Sequence, residues 1–349
     1  MPMEKVSKKE IVPVKIVATG RYLPQKIATN EDFIKEFGLE MSPEIQEKLS
    51  FIGSREHRVA GLKEQPSDLL TKAGIKILEK AGIKANEITQ ILVATTLPDL
   101  IEPATAAIVQ KKIGADDNRW CRTVDLTASC SGWLIGLDFA SRIITTSEKS
   151  EKVLVLAAAL TSRIPFRSVR HRAIFGDGAG GVLLEKSPSL EESCIYGSEF
   201  LSLGEYSDAI YLPAPWSTIP PITPESLRGY FYMSEGYRSE KRFLFRLIEK
   251  HLPILLERLW KKTGFTPKDI DFAIMHQPSK ALFEASVKYS GIPRDKFAYN
   301  FDRYGNTVAA ELPITLDEYI EMGQVKRGDL VLLVTYGAGI TAGAVLLRY

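Results

Sequence analysis

The chain has 349 residues, hydrophobic residues at 45%, charged residues at 25% and a formal net charge of +2. That composition fits a globular protein of two ordinary domains or one large two-part fold. It gives no general pull toward nucleic acid, although a local basic patch could hold an acidic partner. The three cysteines, Cys121, Cys130 and Cys194, form no CxxC pair, which argues against a thiolate metal site and for a reducing compartment. The lysine-rich N-terminus lacks an apolar core of signal-peptide length. No run approaches the roughly 18–20 apolar residues of a membrane helix. The expectation is a soluble, cytoplasmic protein with no membrane insertion.

Strand-like and helical stretches alternate along the chain. "VKIVATGRYLP" (14–24) predicts a strand and turn, and "PSDLLTKAGIKILEKAG" (66–82) predicts a helix ending on a glycine. A short buried strand follows at 88–96, then a helix at 103–114 with Pro103 near its start. A strand at 122–128 leads into a largely apolar helix at 131–146, and 152–159 is a further buried strand. Strands rich in Val, Ile and Leu alternating with helices predict a mostly parallel sheet covered on both faces.

The pattern repeats. "AGIKANEITQILVAT" from Ala81 is echoed by "TGFTPKDIDFAIMHQ" from Thr263, "EKVLVLAA" by "GDLVLLVT", and "GAGGVLL" (178–184) by "AGAVLL" (342–347). Matches in the same order suggest a duplicated α/β unit, although buried strands also resemble one another by composition alone. Between the halves, residues near 205–235 are rich in proline and aromatics and read as an inserted loop or cap.

Cys130, in "DLTASCSGWLIGL", follows a strand and opens a helix, where free N–H groups and the dipole favour an anion. Small neighbours leave room for a substrate; the competing reading is a buried, inert thiol. Of the four histidines, His57 and His171 sit among arginines and read as surface or strand-edge residues, and His251 lies in a helix. His276 stands at the carboxyl end of the strand "IDFAIM", where sites form in open α/β sheets. Asn306, after Gly305, reads either as a turn asparagine leading into a helix near Val308 or as an amide donor aimed at an oxyanion. The segments "FGDGAGG" (175–181) and "YGAGITAG" (336–343) match neither a dinucleotide fingerprint nor a P-loop. The second could supply a backbone N–H to an oxyanion hole.

Together, "IVATGRYLP", "TASCSGW", "FGDGAGG", "MHQPSK", "RYGNTVAAELPITLDE" and "YGAGITAGAVLLRY" resemble the thiolase-like condensing enzymes, most closely the 3-oxoacyl-(acyl carrier protein) synthase III branch. The resemblance implies a five-layer αβαβα sandwich of two similar halves, here 1–185 with Cys130 and 186–349 with His276 and Asn306, and a homodimer. It implies no metal or cofactor, with acyl-coenzyme A and acyl carrier protein thioesters as substrates. Cys130 would carry the acyl group. His276 and Asn306 would bind the thioester carbonyl of a malonyl-type extender, and the N–H groups of Cys130 and Ala338 would hold the oxyanion. Degradative thiolases carry a second cysteine in the C-terminal glycine loop, which is absent here. The elongating synthases use two histidines, where this chain has His276 and Asn306.

The chain departs from the branch at several points. Gly337-Ala338-Gly339 replaces three glycines. Glu47 and Phe51 stand where a Trp and an Arg usually sandwich the adenine of coenzyme A, so a carrier protein or an altered binding mode is open for the acyl donor. Arg246, Lys280 and Lys288 are candidate contacts to an acidic carrier protein, or simply solvated. Glu102 occupies a usually aromatic acyl-pocket position. A carboxylate there resembles enzymes that join two acyl thioesters head to head without loss of carbon dioxide, with this Glu as base across the dimer; a plain helix N-terminal acid is the alternative. Acyl transfer to an oxygen or nitrogen acceptor, or non-catalytic carrier-protein binding, are further readings.

Overall fold

The computed structural model describes residues 12–166, 168–190, 193–212, 232–233 and 242–349. Most of the inserted segment expected near 205–235 lies outside the described residues. The strands are β1 Val14–Tyr22, β2 Lys26–Thr29, β3 Glu56–Val59, β4 Gln90–Thr95, β5 Arg122–Leu126, β6 Val153–Leu160, β7 Asp177–Lys186, β8 Cys194–Ser202, β9 Ile210–Tyr211, β10 Tyr232–Met233, β11 Phe272–Met275, β12 Leu330–Gly337 and β13 Thr341–Arg348. The helices are α1 Asn30–Glu36, α2 Pro43–Ile52, α3 Pro66–Ala81, α4 Thr105–Lys112, α5 Gly132–Thr146, α6 Val169–Arg172, α7 Phe243–Thr263, α8 Lys280–Ser290, α9 Phe301–Tyr304 and α10 Glu311–Glu321.

One sheet has the order β1-β7-β6-β4-β5, and a second has β11-β12-β13-β8. Read from the other end, the second sheet runs β8-β13-β12-β11, the same order built from the second half of the chain. The echoed sequences occupy matching places: β4 with β11, β6 with β12 and β7 with β13. The place of β5 is taken in the second sheet by a single parallel bridge, Ala273 to Phe297.

The expectation of a mostly parallel sheet is corrected. β4 runs parallel to β5 and β6, but β7 is antiparallel to both β6 and β1. In the second sheet β11 and β12 are parallel, while β13 is antiparallel to β12 and β8. The reason lies in the connections. β12 turns directly into β13, and a hairpin reverses direction where a helical crossover would preserve it.

Strand periodicity explains why these runs are apolar throughout. Val153, Val155 and Ala157 of β6 pack into a core shared with Trp133 and Leu137 of α5 and Leu312 and Leu316 of α10. The alternate residues Leu154, Leu156 and Ala158 face Leu69, Leu70, Ala73 and Ile77 of α3. In β12, Val331 and Leu333 join the first core, while Leu332 and Val334 pack with Leu252, Leu256 and Leu259 of α7 and with Phe283 of α8. These cores define five layers: α3 and α4, the first sheet, α5 and α10, the second sheet, then α7 and α8. Among the described residues no helix is long and apolar enough to cross a membrane.

Trp133 is fully buried in the middle layer, and its Nε1 donates to the carbonyl of Val155 at 3.2 Å. Trp133→Ala is expected to cost about 3–5 kcal/mol, read as a lowered denaturation midpoint at unchanged slope in urea unfolding.

Candidate active site

Cys130 sits on a 3-10 turn, Ser129–Ser131, between β5 and α5. Ser129 adopts a φ of 48°, a left-handed conformation that turns the chain sharply ahead of the thiol. The turn is held from the second half of the chain: Thr335 Oγ1 donates to the carbonyl of Cys130 at 3.1 Å, and Thr341 Oγ1 to Ser131 Oγ at 3.1 Å. The approach is so close that a Cβ on Gly337 would lie 2.9 Å from the Cys130 nitrogen, so this position requires glycine.

His276 follows β11, its N–H continuing the ladder to the carbonyl of Val334 at 2.9 Å. The side chain is 2% exposed, and its ring makes a T-shaped contact with Tyr336. Nδ1 lies 2.5 Å from Oε2 of Glu311, a close charge contact off the line of a good N–H···O bond. Burial opposes the charged imidazole, but the negative charges of Cys130 and Glu311 outweigh it and raise its pKa to about 10.

Asn306 is positioned by the first half of the chain. Its N–H donates to the carbonyl of Ile174 at 2.7 Å, and its carbonyl accepts the N–H of Gly176 at 3.1 Å. Its Oδ1 accepts the N–H of Val308 at 2.7 Å, which directs the donor Nδ2 elsewhere. Asn306 makes an asparagine turn, as one of its two readings has it, and the residue also lines the cavity. The preceding Gly305 has a φ of 64°, and a Cβ there would meet the His57 ring at 2.6 Å.

Cys130, His276, Asn306 and Ala338 line one cavity of about 990 Å³. Its walls are largely apolar, with Phe175, Leu203, Phe243, Leu252 and Ile340 among them. Arg170, His171, Arg242 and His251 add charge-bearing side chains to the lining.

Two histidine expectations are corrected. His57 does lie on a strand of a two-stranded ribbon, yet it is fully buried against Phe33, with Nε2 placed 2.9 Å from the carbonyl of Ala173. Burial lowers its pKa to about 4. His171 is half-buried on α6, in the cavity wall rather than at the surface. Glu102 is exposed in the loop between β4 and α4 and does not line the cavity of its own chain. Arg246 on α7 and Lys280 and Lys288 on α8 are exposed. Cys121 and Cys194 are buried and unpaired, and burial raises Cys121 to about 11.

Glu311 is the site residue that sequence reasoning missed. Within "NTVAAELP" it reads as an ordinary acid opening a helix, and only the fold brings it to His276. A carboxylate at the start of a helix whose other early residues are apolar was the available signal. Among the described residues no three His, Cys, Asp or Glu side chains are grouped to hold a metal ion.

A thiol on a tight turn at a helix start, facing an imidazole and an amide from the other half of a five-layer duplicated sandwich, defines a thiolase-like condensing enzyme. The model for 3-oxoacyl-[acyl-carrier-protein] synthase III matches residues 124–204, and that for its C-terminal domain matches 260–349. Beta-ketoacyl-[acyl-carrier-protein] synthase III of Clostridium acetobutylicum is 34% identical over 344 residues, covering 96% of this chain and 98% of the relative. The crystal structure of 3-oxoacyl-[acyl-carrier-protein] synthase III from Aquifex aeolicus superposes with a TM-score of 0.83 at 31% identity, covering 96% of this chain and all of that one. A variant of Xanthomonas campestris OleA, at 20% identity and a TM-score of 0.80 over 97% of this chain and all of that one, shares the fold. The chain belongs to the 3-oxoacyl-[acyl-carrier-protein] synthase III family and is an acyltransferase of the condensing class.

An imidazole protonated more strongly in the fold than in the unfolded chain stabilises the fold in full below about pH 6.5. That contribution is lost as pH rises toward about 10. The difference in melting temperature between the wild type and His276→Gln is therefore expected to narrow from pH 6.5 to pH 10, as followed by differential scanning fluorimetry.

Proposed function

We propose that this chain forms a 3-oxoacyl thioester by decarboxylative Claisen condensation of an acyl group carried on Cys130 with a malonyl-(acyl carrier protein)-type extender. The observation that carries the reading is the convergence of Cys130, His276, Asn306 and Ala338 on one largely apolar cavity. The sulfur of Cys130 attacks the acyl thioester and the carrier thiol leaves. His276 and Asn306 Nδ2 then hold the extender's thioester oxygen as carbon dioxide departs and an enolate forms. The enolate carbon attacks the acyl-Cys130 carbonyl, whose oxygen is met by the N–H groups of Cys130 and Ala338, and the C–S bond breaks to release the product. Three unpaired cysteines suit a reducing, cytoplasmic setting.

Arg246, Lys280 and Lys288 are proposed to receive an acidic carrier protein. Lys280 and Lys288 lie eight residues apart on α8, about 12 Å along its axis and about 80° apart around it. A homodimer is the proposed assembly. β5 ends its sheet with an open edge, and Val124 on it and Phe139 on the adjoining α5 are exposed. Leu100 and Ile101, beside Glu102, are exposed in the loop whose following helix is capped by Asp125 of that strand.

Intact-protein mass spectrometry after incubation with a panel of acyl-coenzyme A and acyl carrier protein thioesters tests the central claim. The wild type should gain one acyl mass and Cys130→Ala none; full product from Cys130→Ala would end the reading. Asn306→Ala should still acylate at Cys130 but lose malonyl decarboxylation by about 10²–10³-fold. In light scattering the wild type should run as a dimer, and Val124→Asp should shift it toward monomer.

A further inference from the structure

Glu311 has no part in the reaction described above, yet it is buried and touches one of the groups that take part in it. It is 2% exposed at the first residue of α10. Oε1 accepts the N–H of Gln277 at 2.8 Å, which fixes the carboxylate, and Oε2 lies 2.5 Å from Nδ1 of His276. A carboxylate taken out of water needs a compensating positive charge. Among the described residues the ion pair given to Glu311 is with His276, and neither Lys nor Arg is paired with it. The helix start supplies only a partial charge.

The groups that face His276 are Cys130 across the cavity, Glu311 at Nδ1, and Tyr336, whose ring meets the imidazole in a T-shaped contact. The Tyr336 hydroxyl pairs with Ser286 Oγ at 2.9 Å and reaches the carbonyl of His276 at 3.4 Å. Tyr336 thus braces the backbone and leaves the charge on the ring to the two acids.

We propose that Glu311 is a positioning residue that keeps His276 doubly protonated through the catalytic cycle, so that its second N–H meets the extender as a charged donor. The inference rests on the condensing role of Cys130 and deepens it. Cys130 reacts as its thiolate, beside the imidazole that Glu311 contacts at Nδ1. The thiolate attacks the acyl thioester, and the leaving carrier thiolate takes one proton from solvent. The malonyl C–C bond then breaks, carbon dioxide leaves, and the electron pair becomes the enolate held by the imidazolium and Asn306. The enolate attacks the acyl group, and the C–S bond breaks to restore the Cys130 thiolate. One proton enters from solvent per turnover, and His276 gives up none. A charged donor strengthens its hydrogen bond as the oxygen gains charge, which favours the enolate over the ground-state thioester.

Glu311→Gln tests this, because it preserves size and the acceptor for Gln277 while removing the charge. The first readout is the titration of His276 in protein labelled with ¹³C-histidine, a spectrum of only four residues assigned with His276→Gln. The wild-type ring should be imidazolium at pH 8, and the Glu311→Gln ring should titrate at least about one pH unit lower. The second readout is malonyl-thioester decarboxylation, which should fall by about 10–100-fold in Glu311→Gln, with its alkaline limb moved down in step with the titration. Acylation of Cys130, followed by mass, should fall much less. A neutral His276 at pH 8 in the wild type would overturn the proposal, even if the variant failed to fold. So would a variant whose loss is the same at every pH with an unchanged titration, since that marks a purely structural carboxylate. The titration does not depend on turnover, so failure of Cys130 to accept any acyl group would count against the condensing role alone.

Discussion

The structure depends on an exchange of support between its two halves. Cys130 belongs to the first half, but its turn is held by Thr335 and Thr341 of the second. Asn306 belongs to the second half, and its backbone is held by Ile174 and Gly176 of the first. Neither half can present its share of the site without the other, so the middle of the sandwich is packed for position as well as for stability. The buried faces of α5 and α10 supply the rigid floor on which sub-ångström placement of a thiol and an amide becomes possible.

Electrostatics divides the cavity in the same way. Its walls are largely apolar, while one end brings the His276 imidazole, backed by the buried Glu311 carboxylate, close to the Cys130 thiol. Low local polarity strengthens each of those interactions, so the contact between Glu311 and the His276 ring counts for more there than it would in water. Elsewhere burial acts in the opposite direction: it lowers the pKa of His57, and the positive charge of Arg172 adds to the effect.

Much of this was legible in the amino-acid order. The glycine stop of α3, the continuous apolar runs of β4 and β6, and the repeated pattern all reflect constraints that act within a few residues. Cys130, His276 and Asn306 stood out because each follows a local signal, a turn or a strand end. Strand direction did not stand out, because alternation along β7 or β13 is the same whichever way its neighbour runs. His57 was misread because flanking arginines suggest solvent, whereas side chains on a strand alternate sides and its own side faces Phe33. Glu311 was invisible for a deeper reason: its meaning comes from a residue on a different strand, brought close only by the stacking of layers.

The duplication is imperfect at one point, and that point bears on assembly. The first sheet ends in a strand, β5, whereas its counterpart in the second half has shrunk to the bridge between Ala273 and Phe297. Two equivalent edges would let each chain recruit a neighbour at both ends and grow into an open filament. Here the two sheets end differently, one in β5 and the other in β11 with its single bridge, so the repeat does not supply two equivalent edges. The two ends of the repeat therefore present unlike surfaces, and the full paired strand stands at the end of the first half.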